Sequence, residues 1–167
     1  LKESEKIIKQ WINDDKNVYF AICNTNNENI GCISASLIKE NPKTYAIGYC
    51  LAYYYWSQGI MTESLKIMLK YLFEEKTAVR VEARHDVRNL ASGKVMKKAN
   101  MKYEGILRKY EINNQGVEDS CMYSMIDDEY ECDFMIPEFE ELDFRKELLA
   151  DEKTMSFNEK YGGAIDF

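Results

Sequence analysis

No stretch of this sequence approaches the roughly 20 consecutive apolar residues needed to cross a bilayer. The opening residues Leu1–Lys9 are charged and lack the layout of a signal peptide. Both absences point to a cytosolic chain with no membrane partner. Also missing is any C-x-x-C pair among the five cysteines, Cys23, Cys32, Cys50, Cys121 and Cys132. An odd number without zinc-type spacing leads us to expect reduced thiols and no metal site. No basic stripe interleaved with aromatics runs through the chain, which argues against nucleic acid as a partner. Histidine occurs once, at His85.

What is present suits one globular domain: 46% hydrophobic and 31% charged residues over a length of 167. The charge is unevenly spread. Residues 1–126 carry 18 Lys and Arg against 15 Asp and Glu, a balance of +3, and residues 127–167 carry 4 against 14, a balance of −10. The body can therefore accept an anionic ligand, and the tail would oppose one.

Ile7, Ile8, Trp11 and Ile12 recur at helical spacing and predict an amphipathic helix over 2–13. Val18–Cys23 and Asn29–Ile38 are β-rich runs around the polar cluster 24–28, a hairpin pattern. A third strand is expected over Thr44–Ala52. Over Gln58–Glu75 a long helix would carry Leu65, Met68, Leu69 and Leu72 on one face. Val79–Arg84 alternates as a half-buried strand through Val79, Val81 and Ala83. Asn89–Ala99 reads as a helix on Leu90, Val95 and Met96, and Met101–Ile112 with Val117–Ile126 as a final hairpin around 113–116. The class is α+β, with helices interrupting a mixed, mostly antiparallel sheet.

Two segments carry chemistry. Tyr45–Ser64 joins an apolar strand to a helix through an aromatic-rich turn containing one glycine, Gly59. Free N–H groups and the helix dipole favour an anion at such a junction, although Gly59 can equally serve the turn alone. Asn89 and Ser92 stand one turn apart at the next helix start, with Lys94, Lys97 and Lys98 nearby. Asn89 by itself is an ordinary N-cap. The two segments come in a fixed order, separated by a strand and followed by Met101-Lys102-Tyr103-Glu104-Gly105.

That run, over roughly residues 2–126, resembles the GCN5-related N-acetyltransferases, and within them the RimJ/RimL-like branch that acetylates protein N-termini. The family's Q/R-x-x-G-x-G/A turn, which holds the CoA pyrophosphate on backbone amides, is matched by Trp56-Ser57-Gln58-Gly59-Ile60-Met61, followed by Thr62, with the central Gly59 kept and Trp56 and Met61 departing from the strict pattern. The N-x-x-S/A segment beside the pantetheine arm matches Asn89 and Ser92. The K-x-G-F/M that follows appears as Lys98-Ala99-Asn100-Met101, with Asn100 in the glycine place, where a left-handed conformation is tolerable.

The resemblance implies acetyl-CoA as cosubstrate, a primary amine as acceptor, and direct transfer without a covalent enzyme intermediate. It implies an oxyanion-binding backbone N–H within Cys50, Leu51 and Ala52; Cys50 itself reads as a small core residue rather than an acyl carrier. The family's glutamate base precedes an Ile-Gly-Tyr run, but here Ala46 stands before Ile47-Gly48-Tyr49. Glu82, His85 or a water held by main-chain groups would have to substitute. His85, in the polar stretch 84–88, reads as a surface residue. Met96 replaces the tyrosine that often serves as acid, which leaves Ser92 as donor to the departing thiolate. The aromatics at 53–56 read as core packing as readily as a substrate platform. A non-catalytic acyl-CoA sensor is the rival reading.

The family's first strand is missing. Residues 132–167 either begin a second acetyltransferase domain, dock onto the first domain within or between chains, or form a solvated acidic tail. The domain reading is thus 1–126, an N-terminally incomplete acetyltransferase domain, and 127–167, an acidic segment; a homodimer is compatible with it.

Overall fold

A computed structural model of the chain describes Asp14, residues 16–113 and residues 116–134, with only the backbone given for residue 113 and residues 131–134. The helix expected over 2–13, the hairpin turn at 114–115 and most of the C-terminal segment lie outside the described residues. The order is β1 (Asn17–Cys23), β2 (Asn29–Glu40), β3 (Lys43–Leu51), a 3₁₀ turn (Tyr53–Tyr55), α1 (Ile60–Glu74), β4 (Arg80–Asp86), α2 (Leu90–Lys98), β5 (Lys102–Asn113), β6 (Gly116–Ile126) and α3 (Asp127–Phe134). Residues 1–130 form one compact unit and residues 131–167 another.

Six strands form one sheet in the order β1-β2-β3-β4-β6-β5. Every pairing is antiparallel except β3 with β4, which are parallel and joined by α1. A parallel pair needs such a crossover, and a helix of this length supplies it. Alternation along the strands sorts residues onto two faces. Tyr45 and Ile47 of β3 lie level with Val81 and Ala83 of β4, and with Tyr49 and His85 they share the face that carries α1 and α2, while Ala46, Gly48, Glu82 and Arg84 lie on the opposite face.

The helices are held by burial rather than by propensity alone. Leu65, Met68, Leu69 and Leu72 of α1 are all fully buried, as their i, i+3, i+4, i+7 spacing requires. Each contributes on the order of 1.5–3 kcal/mol by leaving water. The ring of Phe20 meets Tyr71 of α1 edge-on, with centroids 5.3 Å apart. Phe73 stacks on Tyr130 at 4.9 Å, which ties the first turn of α3 to the body of the domain. In α2 the buried residues are Gly93 and Met96. Leu90, expected in the core, is 68% exposed because it sits at the helix start, outside the sheet's footprint. Val79 likewise precedes β4 and is exposed, so the buried alternation is Val81, Ala83 and His85.

Candidate functional site

The parallel pair β3–β4 stays in register only from Thr44↔Arg80 to Ile47↔Ala83, although β3 runs on to Leu51 and β4 to Asp86. Beyond Ile47 the two strands open into a wedge. In the antiparallel β2–β3 ladder, Ala52 N–H donates to the Ile30 carbonyl at 2.8 Å. Hydrogen bonding in such a ladder alternates. Residues 48, 50 and 52 therefore point their amides at β2, and the amides of Tyr49 and Leu51 point into the wedge. Of the three residues expected to supply an oxyanion donor, Leu51 points its amide into the wedge, whereas the amides of Cys50 and Ala52 point at β2, that of Ala52 bonded to Ile30.

The turn after β3 leads to the second feature. Ser57 and Gly59 are left-handed, at φ 60° and 84°. For Ser57 this conformation costs on the order of 1 kcal/mol. A Cβ on Gly59 would meet nothing within 4 Å, so glycine is needed there for its backbone angle rather than for space. Gly59 is the N-cap of α1 and provides no side-chain cap; the first bond of the helix runs from Glu63 N–H to the Gly59 carbonyl at 3.1 Å. The amides of Ile60, Met61 and Thr62 are left without helical partners, a donor set that fits a phosphate. Met61 departs from the family pattern at no cost to this arrangement, because its side chain is buried in the core. The segment is braced locally by Gln58 Nε2 to the Tyr54 carbonyl at 3.0 Å and by Trp56 Nε1 to the Leu51 carbonyl at 2.7 Å. Tyr53, Tyr54 and Trp56 are 73%, 88% and 53% exposed, so they do not pack the core; the 3₁₀ turn carries them out over its own short bonds.

Across the wedge, α2 begins at Asn89, whose Oδ1 accepts the Ser92 N–H at 3.2 Å; this is the N-cap that the sequence suggested. Ser92 Oγ lies 2.7 Å from the Tyr49 hydroxyl, which also donates to the Ser92 carbonyl at 3.2 Å. Burial raises the Tyr49 pKa, and the Ser92 hydrogen bond opposes that shift only in part. The phenol is thus protonated through neutral pH. Sequence reasoning missed Tyr49, although strand alternation from Tyr45 and Ile47 places it on the helix face. Lys98, by contrast, is exposed at the far end of α2, roughly 13 Å along the helix from Asn89. There it complements the C-terminal dipole and is not gathered with Ser92.

His85 is buried, at 7% exposure, rather than on the surface. Its Nδ1 lies 2.7 Å from the Asp86 carbonyl, and its Nε2 abuts Gly93, where an added Cβ would come within 2.6 Å. The polar neighbours that suggested a surface residue point to the other face of β4. Gly93→Ala is expected to destabilise the fold by about 1–3 kcal/mol through overpacking against a ring that cannot move away; thermal unfolding of the variant measures it.

Glu82 occupies the face opposite the helices, level with Ala46 across the parallel pair and one position before the wedge opens. Arg80 Nε holds Glu82 Oε1 at 2.9 Å, and the same guanidinium grips both oxygens of Glu104 at 2.8 and 2.6 Å. The Glu104 carboxyl is consequently held below its usual pKa, chiefly by that Arg80 contact. Among the described residues no cluster of metal-ligating side chains occurs, and no helix is long and apolar enough to cross a membrane.

Residues 1–102 match the family profile described as Acetyltransferase (GNAT) domain. The chain belongs to the GNAT acetyltransferases. An uncharacterized N-acetyltransferase of Bacillus licheniformis is 29% identical over 126 residues, covering 72% of this chain and 71% of that protein. The probable N-acetyltransferase YjcK of Bacillus subtilis is 34% identical over 103 residues, covering 60% of this chain and 57% of its own length. Among solved structures, the ribosomal-protein-S5-alanine acetyltransferase of Vibrio fischeri superposes with a TM-score of 0.69 at 25% identity, over 77% of this chain and 72% of that one. The microcin C7 self-immunity acetyltransferase MccE, solved with acetyl-CoA and AMP, gives 0.69 at 25% identity over 75% and 71%. The mixed six-stranded sheet flanked by helices agrees with the GNAT fold expected from the sequence. In this GNAT domain Ala46 of β3 has the carboxylate-bearing Glu82 of β4 directly beside it in the parallel register.

Proposed function

We propose that the chain moves an acetyl group from acetyl-CoA to a primary amine by direct attack. The observation that supports this reading is the parting of β3 and β4 beyond Ile47 and Ala83, with the Tyr49–Ser92 hydroxyl pair on the helix face and Glu82 paired with Ala46 on the opposite face, one position before the strands part. The amides of Ile60, Met61 and Thr62 would hold the pyrophosphate of CoA, whose thioester supplies the activated acetyl group. MccE, similar in fold and 25% identical, is solved with acetyl-CoA, which supports the same donor here. The Leu51 amide stabilises the oxyanion, because a fixed dipole aimed at developing charge costs no reorganisation during reaction. Glu82, directly or through one water, takes the proton of the attacking amine. Ser92 donates to the departing thiolate, and the Tyr49 hydroxyl turns its one proton from the Ser92 carbonyl to Ser92 Oγ as it does so.

Calorimetry with CoA, together with thiol release from acetyl-CoA over a panel of primary amines, tests the proposal. Binding with turnover supports it. Binding without turnover makes the chain an acyl-CoA sensor, and neither overturns both readings.

Ser92→Ala should lower turnover about ten- to a thousand-fold, the usual range for one acid–base contact, with little change in CoA affinity. Tyr49→Phe should act in the same direction, and the double variant should be little worse than Ser92→Ala, because the two hydroxyls act as a unit. Equal losses in affinity and efficiency for Ser92→Ala would instead assign that serine to binding.

A further inference from the structure

On the sheet face opposite the helices, Cys32 of β2 and Cys50 of β3 stand directly opposite each other in the antiparallel register, both exposed, with their sulfurs 3.4 Å apart. Nothing in the proposed transfer uses either thiol. We propose that this pair is a redox modification site that closes reversibly as an intrachain disulfide when a peroxide-class two-electron oxidant reaches it.

Cα atoms of opposed, hydrogen-bonded antiparallel residues lie about 5.5 Å apart, within the span a disulfide bridges. The sulfurs must approach by roughly 1.3 Å to reach the covalent distance of about 2.05 Å, a movement that side-chain rotation can provide. In the first step one thiol attacks the peroxide, breaking the O–O bond to give a sulfenic acid and one water. The second thiol then displaces hydroxide from that sulfenic sulfur, forming the S–S bond and a second water. Each sulfur gives up one electron, and the peroxide accepts two. Among the described residues, the other exposed thiol, Cys23, has Asn29 opposite it, and Cys121 has His85 and Ile106; neither has a cysteine across its ladder.

Burial, followed by the hydrogen bond and charge of Cys50, raises the pKa of the Cys32 thiol and so keeps it protonated. The site also lies on the strand that borders the wedge, one residue from Leu51, so its position beside a reactive opening rests on the function proposed above.

The test is hydrogen peroxide at low molar excess on the full chain, followed by alkylation, digestion and mass spectrometry with and without dithiothreitol. The expected result is a peptide pair linked Cys32 to Cys50, lighter by two hydrogens, lost on reduction and absent in Cys32→Ser and Cys50→Ser. Separate sulfinic acids at the two cysteines with no linked pair, or a link only between chains, would overturn the proposal. A linked pair in a protein that releases no thiol from acetyl-CoA upholds this site and counts against the acetyltransfer reading alone.

Discussion

Gly59→Pro is expected to weaken CoA binding by about 100-fold or more, which corresponds to losing one or two charge-assisted hydrogen bonds. Proline fixes φ near −65° and removes an amide, whereas Gly59 sits at 84° as the uncapped start of α1. The change therefore misaims the amides of Ile60, Met61 and Thr62 together. Its effect should stay local, because a side chain at position 59 points into open space. Calorimetry on a variant whose circular dichroism matches the parent is the measurement. Unchanged affinity in that folded variant would remove the turn from consideration as the phosphate site.

The second large effect is expected at Glu82. Glu82→Gln should reduce turnover by about 100- to 10,000-fold at neutral pH, with CoA affinity unchanged, because a general base contributes in that range. Residual activity should rise with pH toward the pKa of the amine itself, since the substrate must then lose its proton to solvent. A main-chain-held water acting alone predicts no loss in this variant. His85→Gln separates the third candidate: with Nε2 facing Gly93, its substitution should reduce thermal stability and leave the shape of the pH–rate profile intact. If that variant instead removes a limb of the pH–rate profile, His85 is the base.

Much of this arrangement was legible from residue order because local patterns set it. The α1 stripe of Leu65, Met68, Leu69 and Leu72 is fully buried as its spacing requires, and the strand limits fall within a residue or two of the apolar runs. Asn100 adopts φ 61°, the left-handed cap expected where the family pattern has glycine. The failures share one physical origin. Whether Tyr49 meets Ser92, whether His85 is buried under Gly93 and whether Glu82 lies beside Ala46 all depend on the register of a parallel pair, and register between distant strands leaves no short-range trace in sequence. The aromatics at 53–56 stay open between core and platform in the sequence, because composition alone does not give a facing; Tyr53, Tyr54 and Trp56 turn outward at the 3₁₀ turn and its end, and Tyr55 is half-buried. Cys50 likewise has the character of a core residue and lies on an exposed face.

The two helices begin differently, and this difference spreads stability unevenly over the domain. At α2 the chain satisfies its own leading amide through Asn89, whereas α1 opens on a glycine with no side chain to do so. A cap of the Asn type is worth about 1 kcal/mol, which α1 lacks on its own. Its first turn is therefore the weaker of the two helix starts and the one where amide hydrogens should exchange sooner with solvent. An anion seated there would slow that exchange and raise the unfolding temperature logarithmically as its concentration exceeds its Kd, leaving the local fraying of the start of α2 almost untouched. Ligand and helix then become parts of one folding equilibrium, with the bound phosphate completing a backbone that the sequence leaves one partner short.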